Sequence, residues 1–104
     1  MTLQQLYERL ESGTEPDQKL DMDLSSLVPI FDHFTKYLDA AIAFGKALLG
    51  EWTWLRDFDG KWQWVRVLNG QPNGYAPAIR HPTGDDCRSC LMAAIKAKME
   101  IEHV

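Results

Sequence analysis

Two cysteines, Cys87 and Cys90, form a Cys-x-x-Cys string, "CRSC", at the start of the run "DDCRSCLMAAIKAKMEI". A thiol in the first turns of a helix lies near free N–H groups and the positive end of the helix dipole, which favour the thiolate and hence dithiol redox chemistry. Asp85 and Asp86 stand directly before the pair and oppose thiolate formation. A metal site would need His81 together with both cysteines and a fourth ligand from His33 or His103, and one Cys-x-x-Cys without a second ligand pair is a weak signature. The expectation is two packed structural cysteines, with no metal and no other cofactor.

Other reactive types are scattered. Asp17, Asp21 and Asp23 lack the spacing and the glycine of a calcium loop and read as a solvated acidic face. His33, between Phe31 and Phe34, is expected to be packed rather than to act as a base. The chain has no nucleophile elbow, phosphate-binding glycine loop or paired-carboxylate pattern, so no enzyme is expected.

The remaining concentration of chemistry is aromatic. "EWTWLRDFDGKWQWVRVLNG" carries all four tryptophans, Trp52, Trp54, Trp62 and Trp64, in two Trp-x-Trp pairs around Asp59-Gly60. If Asp59-Gly60 is a two-residue type I′ turn, Trp54 faces Val65 and Trp52 faces Val67, and the tryptophans divide between the two faces of the sheet. A loop one residue longer puts all four on one face with Arg56 and Arg66, a platform able to stack on bases or on a partner. The two-residue turn is the expectation, which makes the tryptophans core and leaves Trp62, near the hairpin tip, partly exposed.

The elements that must position these residues are legible from periodicity. Leu3, Leu6, Tyr7 and Leu10 mark a short helix stopped at Gly13, and a second is expected from Pro16 through Leu20, Leu24 and Leu27 to Pro29. "TKYLDAAIAFGKALLG" predicts a helix with Thr35 as N-cap and Gly50 as its stop. Strands follow at about 52–58 and 62–68. "NGQPNG" reads as a long turn and "YAPAIRH" as a third, edge strand because of Pro77. The helix begun by "DDCRSC" closes the chain. The expected class is α+β: a three-stranded antiparallel sheet flanked by helices in the order α-α-α-β-β-β-α, with helices on at least part of both faces.

At 104 residues with 45% hydrophobic content, the chain suits a single domain, an acidic helical leader over 1–35 followed by an α-β-β-β-α body over 36–104. No run is apolar enough to span a bilayer, and the start "MTLQQLYERLESG" lacks a secretory pattern, so a cytoplasmic location is expected. The net charge of -4 is concentrated in residues 1–35, which hold seven acidic and two basic side chains. That balance repels phosphates, and direct nucleic-acid binding is not expected. It could steer the chain toward a protein with a basic surface, with Asp17, Asp21 and Asp23 as contacts beside Trp62, Arg56 and Arg66.

The segments "KYLDAAIAFGKALLGEWTW" and "TGDDCRSCLMAAIKA", with the leader "LYERLESGTEPDQKLDMDL", resemble small phage and prophage proteins described as having an α-β-α sandwich domain. Glu15-Pro16 replaces the usual Gly-Pro of that leader, and Gly84 stands where a proline is usual. The resemblance implies a phage origin and a compact α/β fold, and no established activity. The order α-β-β-β-α is also that of a double-stranded RNA-binding domain, but Asp85-Asp86 occupy the place of its phosphate-contacting lysines. The expected role is a non-catalytic protein that binds another protein, such as an inhibitor of a host defence complex in the manner of anti-CRISPR proteins. The alternatives are a thiol or metal protein built on His81, Cys87 and Cys90, and a nucleic-acid binder using the Trp and Arg face.

Overall fold

The computed structural model describes residues 1–102. It contains α1 (Leu3–Ser12), α2 (Gln18–Ser25), α3 (Leu38–Leu49), β1 (Trp52–Arg56), β2 (Trp62–Leu68), β3 (Gln71–Tyr75) and α4 (Asp86–Glu102). This is the expected α+β class, with an antiparallel sheet in the order β1-β2-β3 flanked by helices.

α1 opens with a capping box in which Thr2 and Gln5 satisfy each other's backbone N–H groups, and it ends at Gly13 as expected. α2 is shorter than expected. Asp17 caps it by accepting from Leu20 N–H at 3.0 Å, so Pro16, expected in the first turn, stands before the cap. Thr35 is not the N-cap of α3. It is buried, its N–H donates to Asp21 Oδ1 at 2.9 Å, and its Oγ1 accepts from Asp17 N–H at 2.8 Å. A hydroxyl that could have capped the next helix instead ties α2 to the chain leading into α3, whose N-cap is Tyr37 with no side-chain bond.

The hairpin register differs from the expected one. Trp52 pairs with Arg66, Trp54 with Trp64 and Arg56 with Trp62, so all four tryptophans share one face with Arg56 and Arg66. The cause is the turn. Gly60 N–H donates to Asp57 C=O at 3.2 Å and Gly60 alone has a positive φ, of 81°. That is a type I turn followed by a left-handed glycine, the three-residue loop Phe58-Asp59-Gly60. Asp57 Oδ1 locks it by accepting from the N–H groups of Asp59 and Lys61, both at 2.9 Å.

The type I′ turn is one hairpin further on. Asn69 and Gly70 both have positive φ, 54° and 77°, and join β2 to β3. The third strand is therefore Gln71–Tyr75, inside the segment read as a turn. Of the expected strand 75–81, Tyr75 ends β3 and Ile79 adds an isolated bridge to Trp62.

The shared tryptophan face is nonetheless core. α4 lies between the sheet and the other helices, with Leu91, Met92, Ala94 and Ile95 buried. α3 reaches the same face through Gly45, whose absent side chain leaves room for Trp64. Trp62 and Trp64 are 1% and 0% exposed, while Trp52 and Trp54 are half-buried. Trp62 at the tip is thus the opposite of its expected exposed state, because its ring stacks on Trp54 at 4.9 Å and turns inward toward α4. The other sheet face carries no helix among the described residues, contrary to the expected cover on both faces; Thr53, Leu55 and Tyr75 are left to solvent there, while Val65 between them is buried.

Candidate functional site

The string "DDCRSC" is a structural junction. Asp85 accepts from Arg88 N–H at 3.1 Å and so caps α4. Asp86 Oδ1 accepts from the Trp62 indole N–H and from Arg56 Nε, each at 2.9 Å. Burial works to raise the Asp86 carboxyl, but the bonds from Trp62 and Arg56 and the Arg56 charge outweigh it and hold it below the usual carboxylate range. Ser89 Oγ accepts from His81 N–H and donates to Asp85 C=O. Cys90 C=O accepts from the Trp64 indole at 3.3 Å.

The thiols are poorly placed for chemistry. Burial, followed by the charges of Asp85 and Asp86, pushes the Cys87 thiol up to about 11. Burial raises the fully enclosed Cys90 further, with added push from Cys87 and Asp86. Helix-start placement therefore loses to desolvation and adjacent acids. An unfolded thiol ionises near pH 8.5. Since the folded thiols stay neutral, stability should decline as pH rises from about 8.5 toward 11. Urea titrations across that range should show a shallower decline for Cys87→Ala than for the wild type, and equal slopes would contradict the assignment.

His81 does not face the cysteines as a free ligand. It is buried, Nε2 donates to Gly13 C=O at 2.7 Å, and Nδ1 is bonded to Thr83 Oγ1 at 2.8 Å. Among the described residues no group of three His, Cys, Asp or Glu side chains is arranged to hold a metal ion. His103, named as a possible fourth ligand, lies outside the described residues. His33 is exposed, contrary to the packed state expected, with its ring edge-on to Phe31 at 6.0 Å and Tyr37 at 6.2 Å.

The acidic residues expected to meet a partner are occupied internally. Asp17 caps α2, Asp21 is buried against Thr35, and Asp23 pairs with Arg9. Asp21 is thereby removed from any contact surface, because its carboxylate satisfies a buried N–H.

One residue the sequence reading passed over organises this half of the molecule. Arg88 is buried without a carboxylate partner, and its guanidinium donates to the carbonyls of Arg9, Leu10 and Glu15. The first two belong to the last turn of α1, where Arg9 C=O also accepts from Gly13 N–H at 3.2 Å and Leu10 C=O is one of the helix-end carbonyls without a partner in the helix. The guanidinium charge sits at the negative end of that dipole. Gly13 makes room for it, since a Cβ there would lie 2.7 Å from Arg88 Nη1.

What remains available to another molecule is on the sheet. Phe58, at the hairpin tip, is wholly exposed; Tyr75 is 64% and Leu55 49% exposed. Leu55 and Tyr75 belong to the face away from the helices, with Leu55 flanking a cleft of about 320 Å³ whose floor includes Gln63 and Ala78. On the opposite face Arg66 and half-buried Trp52 emerge from beneath α4 and line a cleft of about 440 Å³ with Lys98 and Ile101. Arg66 makes no ion pair among the described residues, whereas Arg56, also exposed, is paired with Asp86. A second exposed patch, Ile30, Phe31 and Tyr37, lies on the turn between α2 and α3.

These features define a small α+β protein whose sheet is backed by helices on the tryptophan face and open on the other. No protein family, curated protein or solved structure matches the chain. Among the described residues no helix is long and apolar enough to cross a membrane.

Proposed function

We propose that this is a non-catalytic protein-binding module that engages its partner with the hairpin tip and the open sheet face. The observation that carries the reading is Phe58. An aromatic side chain held at a turn locked by Asp57, with no contact that the fold needs, has the character of a binding anchor. Leu55 and Tyr75 extend apolar surface behind it. Burial of the "CRSC" thiols and the internal use of His81 favour this reading over thiol or metal chemistry. Burial of Trp62 and Trp64 favours it over base stacking. The resemblance to phage proteins would make the partner a host protein, such as a component of a defence complex.

The test is a pair of variants, Phe58→Ser and Leu55→Ser. Both should leave the unfolding free energy from urea titration within about 0.5 kcal/mol of the wild type, as expected for exposed sites. A partner cross-linked by the wild-type chain should be lost from the Phe58→Ser variant. Retained cross-linking in both variants, or a salt-sensitive shift of duplex or single-stranded nucleic acid at about 0.15 M salt, would overturn the proposal.

A further inference from the structure

The two edges of the sheet are built differently. Val67 N–H donates to Glu51 C=O at 3.0 Å and Asp57 N–H to Lys61 C=O at 3.1 Å, so the odd-numbered residues along β1 bond to β2. By the alternation of an antiparallel ladder, the N–H and C=O groups of Trp52, Trp54 and Arg56 point away from the sheet. No hydrogen bond reaches these backbone groups among the described residues. The β3 edge is guarded: its register shifts between Arg66 and Val67, and its outward positions include Pro72 and Pro77, which have no N–H to offer. The β1 edge carries no proline and no bulge.

We propose that β1 is a docking edge for an extended strand of another protein, antiparallel to β1 and bearing a Lys or Arg at each end of a seven-residue stretch. The proposal deepens the protein-binding reading and rests on it. The chemistry of the occupant follows from the row on the open face, Glu51, Thr53, Leu55 and Asp57. Neither Glu51 nor Asp57 is in an ion pair among the described residues, although Asp57 Oδ1 holds the turn N–H groups of Asp59 and Lys61 and Lys61 stands across from it. A strand bonded to Trp52, Trp54 and Arg56 sets its two ends opposite these carboxylates and its middle opposite Thr53 and Leu55. Cations at the ends and β-branched residues between them complement that row. A second copy fits poorly: pairing two β1 edges about a twofold axis at Trp54 sets Glu51 against Asp57 of the other copy at both ends, acid facing acid.

The probe is the peptide acetyl-Lys-Thr-Val-Thr-Val-Thr-Lys-amide, compared with its twin carrying Glu at both ends. Amide hydrogen exchange of the full chain is followed by NMR at up to about 1 mM peptide. The Lys-ended peptide should slow exchange at Trp52, Trp54 and Arg56 and bind roughly tenfold more tightly than its twin, the scale of two cross-strand charge pairs. Glu51→Lys, an exposed change, should shrink that preference. Equal binding of the two peptides, or no protection at these amides, would overturn the proposal. So would protection that grows with protein concentration in the absence of peptide, which would assign the edge to a second copy. Partner capture that depends on Phe58 without peptide binding at β1 would sink the edge while leaving the wider surface standing.

Discussion

Replacing Arg88 with alanine is expected to destabilise the fold by about 3–5 kcal/mol, since each buried carbonyl left without a donor costs about 1–3 kcal/mol. The carbonyls of Leu10 and Glu15 lose their donor, while that of Arg9 keeps Gly13 N–H; the three belong to α1 and to the chain that leaves it. The loss should appear first as faster amide exchange along α1, because the guanidinium is what fastens the end of that helix to α4. Arg88→Lys should recover only a small part, because a single ammonium cannot reproduce a planar fork that reaches carbonyls on both segments. Gly13→Ala should act on the same junction by crowding the guanidinium. Urea unfolding of the three variants is the measurement. A loss under about 1 kcal/mol for Arg88→Ala would mean that water replaces the guanidinium without strain, and the junction would not be what holds α1 in place.

Trp64→Ala should cost about as much, roughly 3–5 kcal/mol, the range for deleting a buried aromatic ring. Trp64 is fully enclosed, donates to Cys90 C=O and fills the space beside Gly45 where α3 meets the sheet. Trp62→Ala should fall in the same class and also strip Asp86 of its indole donor. Trp52→Ala and Trp54→Ala should cost less, since both rings are half-exposed. A second route to the same contact is Gly45→Ala, whose Cβ would lie 2.0 Å from Trp64 Cζ2. Alone it should cost about 1–3 kcal/mol by overpacking. Combined with Trp64→Ala it should cost far less than the sum, because the ring that it strikes is gone. Simple additivity in that double-mutant cycle, or equal small losses at all four tryptophans, would show that the ring is not wedged between α3 and α4.

The open face and the tryptophan face answer different demands. The tryptophan face supplies most of the sheet's burial, so Trp62 and Trp64 have no freedom to act as a recognition surface. Phe58, Leu55 and the outer edge of β1 carry no comparable structural duty. A binding role can therefore change at these positions without disturbing the core, which is the condition that the Phe58→Ser and Glu51→Lys tests exploit.

Much of the chain's local structure follows from the sequence alone. Leucine periodicity, Gly13 and Gly50 set the ends of α1 and α3, and the alanine-rich run after "CRSC" made α4, because these signals act within a turn or two of the chain. The unfavourable setting of the thiols was also legible, since Asp85 and Asp86 are their immediate neighbours. The register of the first hairpin was partly legible and misread. Asp-Gly suits a type I′ turn, but Asp57 and Gly60 occupy the first and fourth positions of a type I turn, and Asn69-Gly70 is the stronger I′ signal. Only the tertiary structure decided which of these prevails, by placing all four tryptophans toward α3 and α4. It alone revealed Arg88 at the end of α1 and Thr35 bound to Asp21, pairs far apart in sequence. Such contacts leave no periodicity to detect. They depend on which helices meet, and that is determined by the summed burial of the whole core rather than by any one segment.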